Sequence, residues 1–596
     1  MNSFQEKVSF IWSLADLLRG DYKQSEYGKV VLPFTLLRRL DSLQNASGIA
    51  FCDLAAKPDQ MPRYIAGFSP EVREILECCG FSGQINRLKR SGLLPVLIQR
   101  FCGIDLRPES VSNHEMGYIF EELIRKFSEQ SNETAGEHFT PREVIHLMVR
   151  LLLGGNSSAG KTLFDPACGT GGMLSIADEF MHRRDPAARL HSYGQELNPE
   201  SYAIAKADAL LRGQDTRNIA LGNSFTNDAF ARHRFDYMLS NPPFGVEWKK
   251  VERQIRDESN RLGFAGRFGA GLPRVNDGSL LFLQHMLSKI KPAGSRIAVV
   301  FNGSPLFAGN AGSGESEIRR WIFENDWLEA VIALPDQLFY NTGLATYIWL
   351  LTNCKIPERK GKVQLINAVT FFEKMRRSLG AKRNQITPAR MDEICVIHRE
   401  FQGGPYSRIL RNQEFGFRRI TVERPLRLSF QATPERIRSL AGKYAPAVLE
   451  ALATMDSAVI YHDQTPFDGA LAAAFEAAGL TLGRTLARRL REAFSQQNDE
   501  ANIYRDAKGR PPPDAALRDS EDVPLDQDVR AWFEREVRPH APEAWIAEGE
   551  SPIGYAIPFA RIFFEPEPMR SPDEIAREIR DLEREAQILL QQIESA

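Results

Sequence analysis

Residues 162–172 read TLFDPACGTGG, a short apolar run that ends in an acidic residue and continues into a glycine-rich turn. Residues 173–181 follow with the composition of a helix, so the segment predicts a strand, a turn and a helix in succession. Glycines let such a turn bring its backbone close to a ligand, and the N-terminus of the helix favours a bound carboxylate. A lone G-x-G is weak evidence, but the full D-P-x-C-G-x-G-G string in this context indicates a ligand-binding loop at the end of a strand.

Strands and helices of about ten residues alternate from residue 135 onwards. This alternation predicts an α/β fold with a Rossmann-like, mostly parallel sheet that is covered by helices on both faces. Only a loop separates the last two strand candidates, which predicts one antiparallel strand. In such sheets, ligands bind at the carboxyl ends of the strands. The strand candidates are residues 162–164, 191–195, 219–221, 235–239, 296–301, 328–334 and 346–352.

The remainder of the chain predicts an α-helical N-terminal domain and a C-terminal helical extension. We assign residues 1–133 to the helical domain, 134–400 to the α/β domain, 401–570 to a region of uncertain fold and 571–596 to a tail helix. The tail predicts a coiled-coil-like contact with another chain, although a helix packed on its own domain often has the same pattern. Its apolar residues form a heptad seam at Ile575, Ile579, Leu582, Ala586, Leu589 and Ile593.

Composition sets the outer limits. The 596 residues predict several domains, and 43% hydrophobic with 26% charged residues is ordinary for a globular protein. The net charge of −2 means that any contact with nucleic acid needs local positive charge or a partner. The seven cysteines show no C-x-x-C spacing, so we expect reduced thiols in a cytoplasmic protein. No signal peptide and no membrane-spanning run is recognised.

The strongest candidate for catalysis is Asn241-Pro242-Pro243-Phe244, directly after the fourth strand candidate. The amino group of a nucleobase is a poor nucleophile because its lone pair is delocalised into the ring. The Asn241 side-chain oxygen and the Pro242 carbonyl can accept its hydrogens, and the two prolines hold that carbonyl rigidly. Phe244 offers a face on which an extruded base can stack. Alone, the string could be a turn, but the glycine-rich loop upstream favours the catalytic interpretation.

Two further strand ends carry candidate ligands for a nucleoside cofactor. Glu196 ends the second strand candidate, about 30 residues after the glycine-rich turn, where an acidic residue typically binds both ribose hydroxyls. Asn223 follows the third and could pair with adenine, although Asp is expected there. Cys168 has no general base nearby, which argues against a nucleophile. The candidate cofactor residues are therefore Asp165, Pro166, Ala167, Cys168, Gly169, Thr170, Gly171, Gly172, Glu196 and Asn223.

The strings GEHFTP (136–141), DPACGTGG (165–172), GQE (194–196) and NPPF (241–244) resemble the γ-ordered amino-methyltransferases of DNA. Residues 11–41 and 333–355 resemble, more narrowly, the modification subunit of type I restriction–modification systems. This resemblance implies S-adenosylmethionine as cofactor, transfer to the N6 of a flipped adenine in double-stranded DNA, and closure of Phe139, Thr140 and Pro141 over the cofactor. It also implies assembly with a specificity subunit, a second copy of this chain and a restriction or translocase subunit. Asn223 and the region past residue 430 depart from the family pattern.

Other chemistry is weakly supported. Residues 155–162, GNSSAGKT, fit the phosphate-loop pattern but lie between a helix and a strand, the reverse of a true phosphate loop. The scattered histidines and a direct displacement on a sulfonium carbon predict no metal. Residues 245–275 combine basic and aromatic side chains and could contact DNA, or form an ordinary solvated loop. Methylation of RNA or of a protein glutamine stays open, as does a non-catalytic DNA-binding or assembly module.

Overall fold

The computed structural model describes residues 4–44, 46–130, 140–154, 160–186, 188–340, 343–379, 381–506, 508–564 and 570–594. Contacts divide the chain into two compact units, one ending at Ala556 and the other beginning at Ile557. Within these ranges, no helix combines the length and the apolar character needed to cross a membrane.

The N-terminal region is helical, as predicted. Its amphipathic helices bury one face each in a common core, to which Ala203, Ala207 and Leu211 of the neighbouring α/β region also contribute. The guanidinium of the buried Arg39 donates hydrogen bonds to the backbone carbonyls of Leu106 and Val111, so these two carbonyls have partners inside the core. The helices are α1 Phe4–Ser13, α2 Tyr27–Gln44, α3 Met61–Ala66, α4 Pro70–Cys78, α5 Phe81–Arg90, α6 Leu93–Cys102 and α7 Asn113–Gln130.

The expectation of reduced thiols is wrong for one pair of cysteines. Cys52 and Cys102 form a disulfide across 50 residues of sequence, with their Cα atoms 5.8 Å apart. The absence of C-x-x-C spacing could not exclude this bond, because the packing of α6 against the segment at residues 51–55 brings the two thiols together. The other cysteines, at positions 78, 79, 168, 354 and 395, are free thiols.

A nine-stranded sheet forms the centre of the α/β region, in the order β11-β8-β6-β7-β5-β4-β1-β2-β3. Its strands are β1 Lys161–Asp165, β2 Leu190–Glu196, β3 Ile219–Leu221, β4 Tyr237–Ser240, β5 Arg296–Asn302, β6 Leu328–Ala333, β7 Thr346–Thr352, β8 Lys362–Asn367 and, after the hairpin β9 Glu373–Leu379 and β10 Lys382–Gln385, β11 Ser407–Arg411. The helices of this region are α8 Arg142–Leu153, α9 Gly172–Arg184, α10 Pro199–Leu211, α11 Glu252–Leu262, α12 Ser279–Leu287, α13 Ser304–Phe307, α14 Gly314–Glu324 and α15 Pro388–Glu400.

The sheet is mostly parallel, as predicted, and β7 is the predicted antiparallel strand between β5 and β6. A second antiparallel strand, β11, pairs with β8 at the edge and was not predicted. Because β11 begins at Ser407, the sheet extends past the proposed boundary at residue 400. The domain boundaries themselves stay predictions.

The pairing of β1 with β4 decides where the site lies. The two strands are parallel and adjacent, with Leu163 opposite Tyr237 and Phe164 opposite Met238. Their carboxyl ends, Asp165 and Ser240, therefore meet at the same edge of the sheet. On the other side of β1, β2 runs parallel and ends at Glu196. The three strand ends that carry the predicted motifs are thus neighbours.

The region of uncertain fold contains a small sheet and a helical cluster. Strand β12 Gly416–Glu423 pairs with β15 Asp519–Pro524 on one side and with β16 Trp545–Ile546 and β17 Ile553–Tyr555 on the other. The helical cluster lies between β13 Leu428–Phe430 and β14 Ser495–Gln497, around its own apolar core. Its helices are α16 Pro434–Arg438, α17 Pro446–Ala453, α18 Gln464–Ala477 and α19 Arg484–Phe494, and α20 Val529–Glu536 follows β15.

The second unit contains the short helix α21 Phe559–Ile562 and the predicted tail helix, α22 Pro572–Glu594. The first residues of the heptad seam face solvent: Ile575 is 39% exposed, Ile579 51% and Leu582 59%. Exposed apolar side chains at heptad spacing leave this face available to a partner helix. The coiled-coil-like contact stays a prediction.

Candidate active site

The glycine-rich turn after β1 forms a backbone cradle. Gly169 and Gly171 have φ values of +55° and +84°, which favour glycine because a Cβ would crowd the backbone. A Cβ on Gly171 would also lie 3.3 Å from the Cβ of Ala205 in α10. Gly171 is the N-cap of α9, so the N-terminus of that helix begins directly after the turn that follows β1. The predicted strand–turn–helix arrangement is confirmed.

Glu196 joins the end of β2 to this cradle. Its Oε2 accepts a hydrogen bond from the Gly169 amide at 2.8 Å, and its Oε1 accepts from the Asn198 amide at 2.7 Å. An ionised carboxylate has about four acceptor positions, so each oxygen retains capacity for a ligand hydroxyl. These two amides hold the side chain in place, and its role in binding a ribose stays a prediction.

Asp165 connects the cradle to the end of β4. Its Oδ1 accepts from the Ser240 hydroxyl at 2.9 Å and from the Ala167 amide at 3.0 Å. Burial raises the pKa of Asp165 to about 7, against the two hydrogen bonds, and the negative charge of Glu196 adds to the increase. Because Ser240 directly precedes Asn241, this bond fixes the catalytic candidate relative to the cradle.

The raised pKa of Asp165 predicts a pH dependence of folding. The ordinary value is 3.8, so between about pH 4 and pH 7 the folded chain holds a proton that the unfolded chain has lost. The stability that this group contributes is therefore complete below about pH 4 and disappears as the pH rises to about 7. We expect the free energy of unfolding of the wild type, relative to Asp165→Asn, to fall from about pH 5 to pH 7 and then to level off. Denaturant unfolding of both proteins across this range measures it, and a constant difference would contradict the assignment.

Asn241 follows β4 with its side-chain amide in a defined orientation. Its Nδ2 donates to the hydroxyl of Thr140 at 2.9 Å. Its Oδ1 is shielded from solvent and finds no donor among the described residues. A buried acceptor without a partner costs free energy, and such groups need an explanation. Here the unpaired atom is the one that the sequence assigned to the amino group of the substrate.

One cavity of about 560 Å³ contains both motifs. Its wall includes Glu196 on one side and Asn241 on the other, with the cradle between them. A cavity of this size is typical of sites for small molecules and cofactors. The predicted site residues that line it are Thr140, Asp165, Pro166, Ala167, Cys168, Gly169, Thr170, Gly172, Glu196, Asn223, Asn241 and Pro243.

Other predicted residues lie beside the cavity rather than in its wall. Pro141 is the N-cap of α8 and Gly171 that of α9, while Pro242 is buried. The ring of Phe244 packs edge-on against Phe339, with centroids 6.1 Å apart. Its predicted role as a stacking surface for a base stays a prediction. Phe139 lies outside the described residues.

Asn223, the candidate partner of the cofactor's adenine, lies in a turn after β3. Its Oδ1 accepts from the Phe225 amide at 2.8 Å, which closes a turn after β3. The hydroxyl of Ser224 donates to the carbonyl of Pro166 at 2.6 Å, so this turn is joined to the cradle. Asn223 lines the cavity, yet part of its acceptor capacity is already used by its own backbone.

Sequence reasoning missed the apolar part of the cavity wall. Leu197 is 64% exposed directly after Glu196, and Phe225 lies two residues after Asn223. Trp248 and Phe282 contribute from the segments after β4 and before β5. The sequence signal that could have predicted this wall is the apolar residue one or two positions after each polar strand-end residue. A nucleoside needs apolar surfaces beside its hydrogen-bonding groups.

Arg267 ties the segment at 245–275 to the cavity. Its guanidinium donates to the carbonyls of Ser224 at 2.8 Å and Phe225 at 2.5 Å, and it pairs with Glu258 of α11 at 2.6 Å. Its side chain is only 18% exposed, and charge-assisted bonds of this kind are among the stronger ones. This segment is therefore anchored on the turn after β3 rather than held only by its ends.

A cysteine nucleophile and a phosphate loop find no support here. Cys168 is buried and its pKa is raised well above the usual value by desolvation, so it is a poor nucleophile. In the rejected phosphate-loop string, residues 155–159 lie outside the described residues. Helix α8 ends before the string and β1 begins within it at Lys161, so the order is helix then strand, as expected. The described part of the chain holds no group of three His, Cys, Asp or Glu residues suited to a metal ion.

Comparisons with known proteins agree with this geometry. The N-6 DNA methylase family model matches residues 111–416, and the model of the HsdM N-terminal domain matches residues 7–146. The type I restriction enzyme MjaIX methylase subunit of Methanocaldococcus jannaschii is 31% identical over 343 residues, which are 57% of this chain and 58% of that protein. The HindI methylase subunit of Haemophilus influenzae is 30% identical over 256 residues, 42% of this chain and 54% of that protein.

The matched part of this chain spans about half the length of these relatives. Among solved structures, the methyltransferase subunit of a type I restriction–modification system from Streptococcus thermophilus superposes with a TM-score of 0.58 at 19% identity. That match covers 69% of this chain and 97% of the other, and it supports the fold.

Proposed function

The chain belongs to the N-6 DNA methylase family, and from this premise we propose that it transfers a methyl group from S-adenosylmethionine to the N6 of adenine in DNA. We further propose that it does so as the modification subunit of a type I restriction–modification system. The observation that carries the proposal is the unpaired Oδ1 of Asn241, in the same cavity as the cradle and Glu196.

The residues of the cavity fit S-adenosylmethionine. Glu196 has acceptor capacity for the two ribose hydroxyls, and the glycine turn with the N-terminus of α9 suits the carboxylate of the methionine part. Leu197 and Phe225 supply apolar surface for the adenine ring. When bound, this cofactor supplies a methyl group that is already activated on a sulfonium. In this proposal, Phe139, Thr140 and Pro141 help to close over the cofactor.

Asn241 and Pro242 act on the substrate. The Oδ1 of Asn241 and the carbonyl of Pro242 accept hydrogen bonds from the N6 amino group, which draws its lone pair out of the ring and towards the methyl donor. The chain reaches the base only after it is extruded from the duplex, and Phe244 then stacks on it. No ionisable residue of the chain needs to take a proton at the moment of transfer. The amino nitrogen becomes positively charged when it gains the methyl group, and it then releases a proton to solvent.

Partners follow from the same family. Its relatives are named as methylase subunits of type I restriction enzymes, and we propose a specificity subunit, a second copy of this chain and a restriction subunit as partners. The exposed seam of α22 suits the contact with the specificity subunit. We propose that residues 245–275, which Arg267 anchors on the turn after β3, contact the DNA. Such a system would act on chromosomal DNA in the cytoplasm.

A methyl-acceptor assay tests the proposal. The complex with its specificity subunit is incubated with S-adenosylmethionine labelled in the methyl group, and with host-derived DNA, RNA or protein as acceptor. We expect label in DNA, recovered as N6-methyladenine after digestion to nucleosides. Label in RNA or in glutamine instead would favour one of the other methyltransferase interpretations, and a failure to bind the cofactor by calorimetry would favour a non-catalytic module.

A further inference from the structure

Thr140 contacts the catalytic amide from a distant part of the sequence. Its Oγ1 accepts the hydrogen bond from Asn241 Nδ2 at 2.9 Å across a separation of 101 residues. The resemblance to DNA amino-methyltransferases places Thr140 in a segment that covers the cofactor, a role that involves no contact with Asn241. The hydrogen bond therefore adds something that the family pattern did not imply.

The two ends of an asparagine side chain have opposite chemistry. Nδ2 can only donate and Oδ1 can only accept, and the two ends exchange places when the side chain rotates by half a turn. An amino group that is about to be methylated needs an acceptor, so the reaction requires Oδ1 towards the substrate. In the structure, Nδ2 is engaged by Thr140, whereas Oδ1 has no donor in the part of the chain that the structure describes and is the end left free to accept.

We propose that Thr140 is a positioning residue that holds the Asn241 amide with its oxygen towards the substrate. The proposal rests on the proposed function of the same site. Without the Thr140 hydroxyl, Nδ2 would lose its hydrogen-bond partner, and the side chain of Asn241 would no longer be anchored at that end. Holding the reactive orientation before the substrate arrives is the kind of preorganisation that raises the rate of a chemical step.

Thr140 itself is held by the helical N-terminal region. It precedes Pro141, the N-cap of α8, and the next residue, Arg142, reaches back to α7. The guanidinium of Arg142 pairs with Glu121 at 3.0 Å and with Glu122 at 3.2 Å. Both carboxylates are largely buried, with side-chain exposures of 10% and 14%. Glu143, one residue further, pairs with Lys382 of β10.

These ion pairs fix the first turn of α8 between two other elements, α7 and β10. A half-buried, multiply bonded arginine leaves its neighbours little freedom, so the hydroxyl two residues before it has a defined place. The helical region thereby helps to set the geometry of the catalytic amide, in addition to any contact it makes with partners.

The test compares two substitutions at one position. Thr140→Val keeps the branched shape and removes the hydroxyl, whereas Thr140→Ser keeps the hydroxyl and removes a methyl group. Both proteins are assembled with the specificity subunit, and single-turnover methylation of DNA and binding of S-adenosylmethionine are measured separately. We expect Thr140→Val to slow the methylation step by about tenfold with less than about a threefold change in cofactor affinity, and Thr140→Ser to remain within about threefold of the wild type in both.

The outcomes separate the two proposals. If Thr140→Val weakens cofactor binding and leaves the methylation step unchanged, Thr140 is a residue of the cofactor cover and the positioning role is overturned. The positioning role is also overturned if the wild type is active and Thr140→Val methylates DNA at the same rate. A wild type that binds the cofactor but methylates no DNA overturns the proposed function, and the role of Thr140 falls with it.

Discussion

Replacement of Asn241 by alanine is expected to slow methyl transfer to DNA by about a hundredfold to a thousandfold, because one preorganised hydrogen-bonding group at a reacting centre contributes roughly that much. The substitution removes Asn241 Oδ1. Among the described residues that line the cavity, it is the only buried side-chain acceptor without a hydrogen-bond donor. Because Asn241 is assigned to the substrate rather than to the cofactor, cofactor affinity should change by less than about threefold. Single-turnover kinetics and calorimetry measure the two effects separately.

A matched substitution guards against a trivial explanation. Asn325 is an exposed asparagine at the C-cap of α14, outside the cavity, and Asn325→Ala should methylate DNA at the wild-type rate. Thermal unfolding should also show that Asn241→Ala remains folded, since it loses only one side-chain hydrogen bond. If Asn241→Ala methylates DNA as fast as the wild type, the chemistry takes place elsewhere.

Replacement of Glu196 by alanine is expected to weaken binding of S-adenosylmethionine by about a hundredfold. Bonds to charged groups contribute at least about 1.5 kcal/mol each, so two hydrogen bonds from ribose hydroxyls to a carboxylate account for a loss of about this size even at the lower limit. The side chain is 9% exposed and already fixed by the amides of Gly169 and Asn198, so the wild type loses little entropy when it binds the ribose. Titration calorimetry gives the affinity directly.

Glu196 also supports the cradle, so the test needs a second ligand. A cofactor analogue without the ribose hydroxyls should bind the wild type weakly and should bind Glu196→Ala almost as well as it binds the wild type. This pair of measurements isolates the interaction between the carboxylate and the hydroxyls. If the substitution weakens binding of the analogue as much as that of the cofactor, Glu196 acts on the cradle alone and the assigned role in ribose binding is wrong.

Local sequence patterns predicted the strand ends well. Asp165, Glu196 and Asn241 each stand at or directly after the end of a predicted strand, and alternation of strands with helices is enough to bring such residues to one edge of a parallel sheet. The glycine-rich turn was also predictable from sequence, because Gly169 and Gly171 have positive φ angles that other residues rarely adopt. Everything in this part of the prediction depends on residues that are close in sequence.

Contacts between distant segments were not predictable in this way. The hydrogen bond between Thr140 and Asn241 depends on how α8 is held by α7, and no periodicity records that. The disulfide of Cys52 with Cys102 depends on the packing of α6, and β11 joins the sheet only after a hairpin and a helix. The ring of Phe244 likewise meets Phe339, a residue from the loop between β6 and β7. Each of these features is decided by tertiary packing rather than by local preference.

A crystal structure of the chain with S-adenosylmethionine examines the shared cavity most directly. The account predicts ribose hydroxyls on the carboxylate of Glu196, the methionine part against the glycine turn, and the transferable methyl group facing Asn241 Oδ1. A cofactor bound in another part of the chain, or one whose methyl group points away from Asn241, would contradict it.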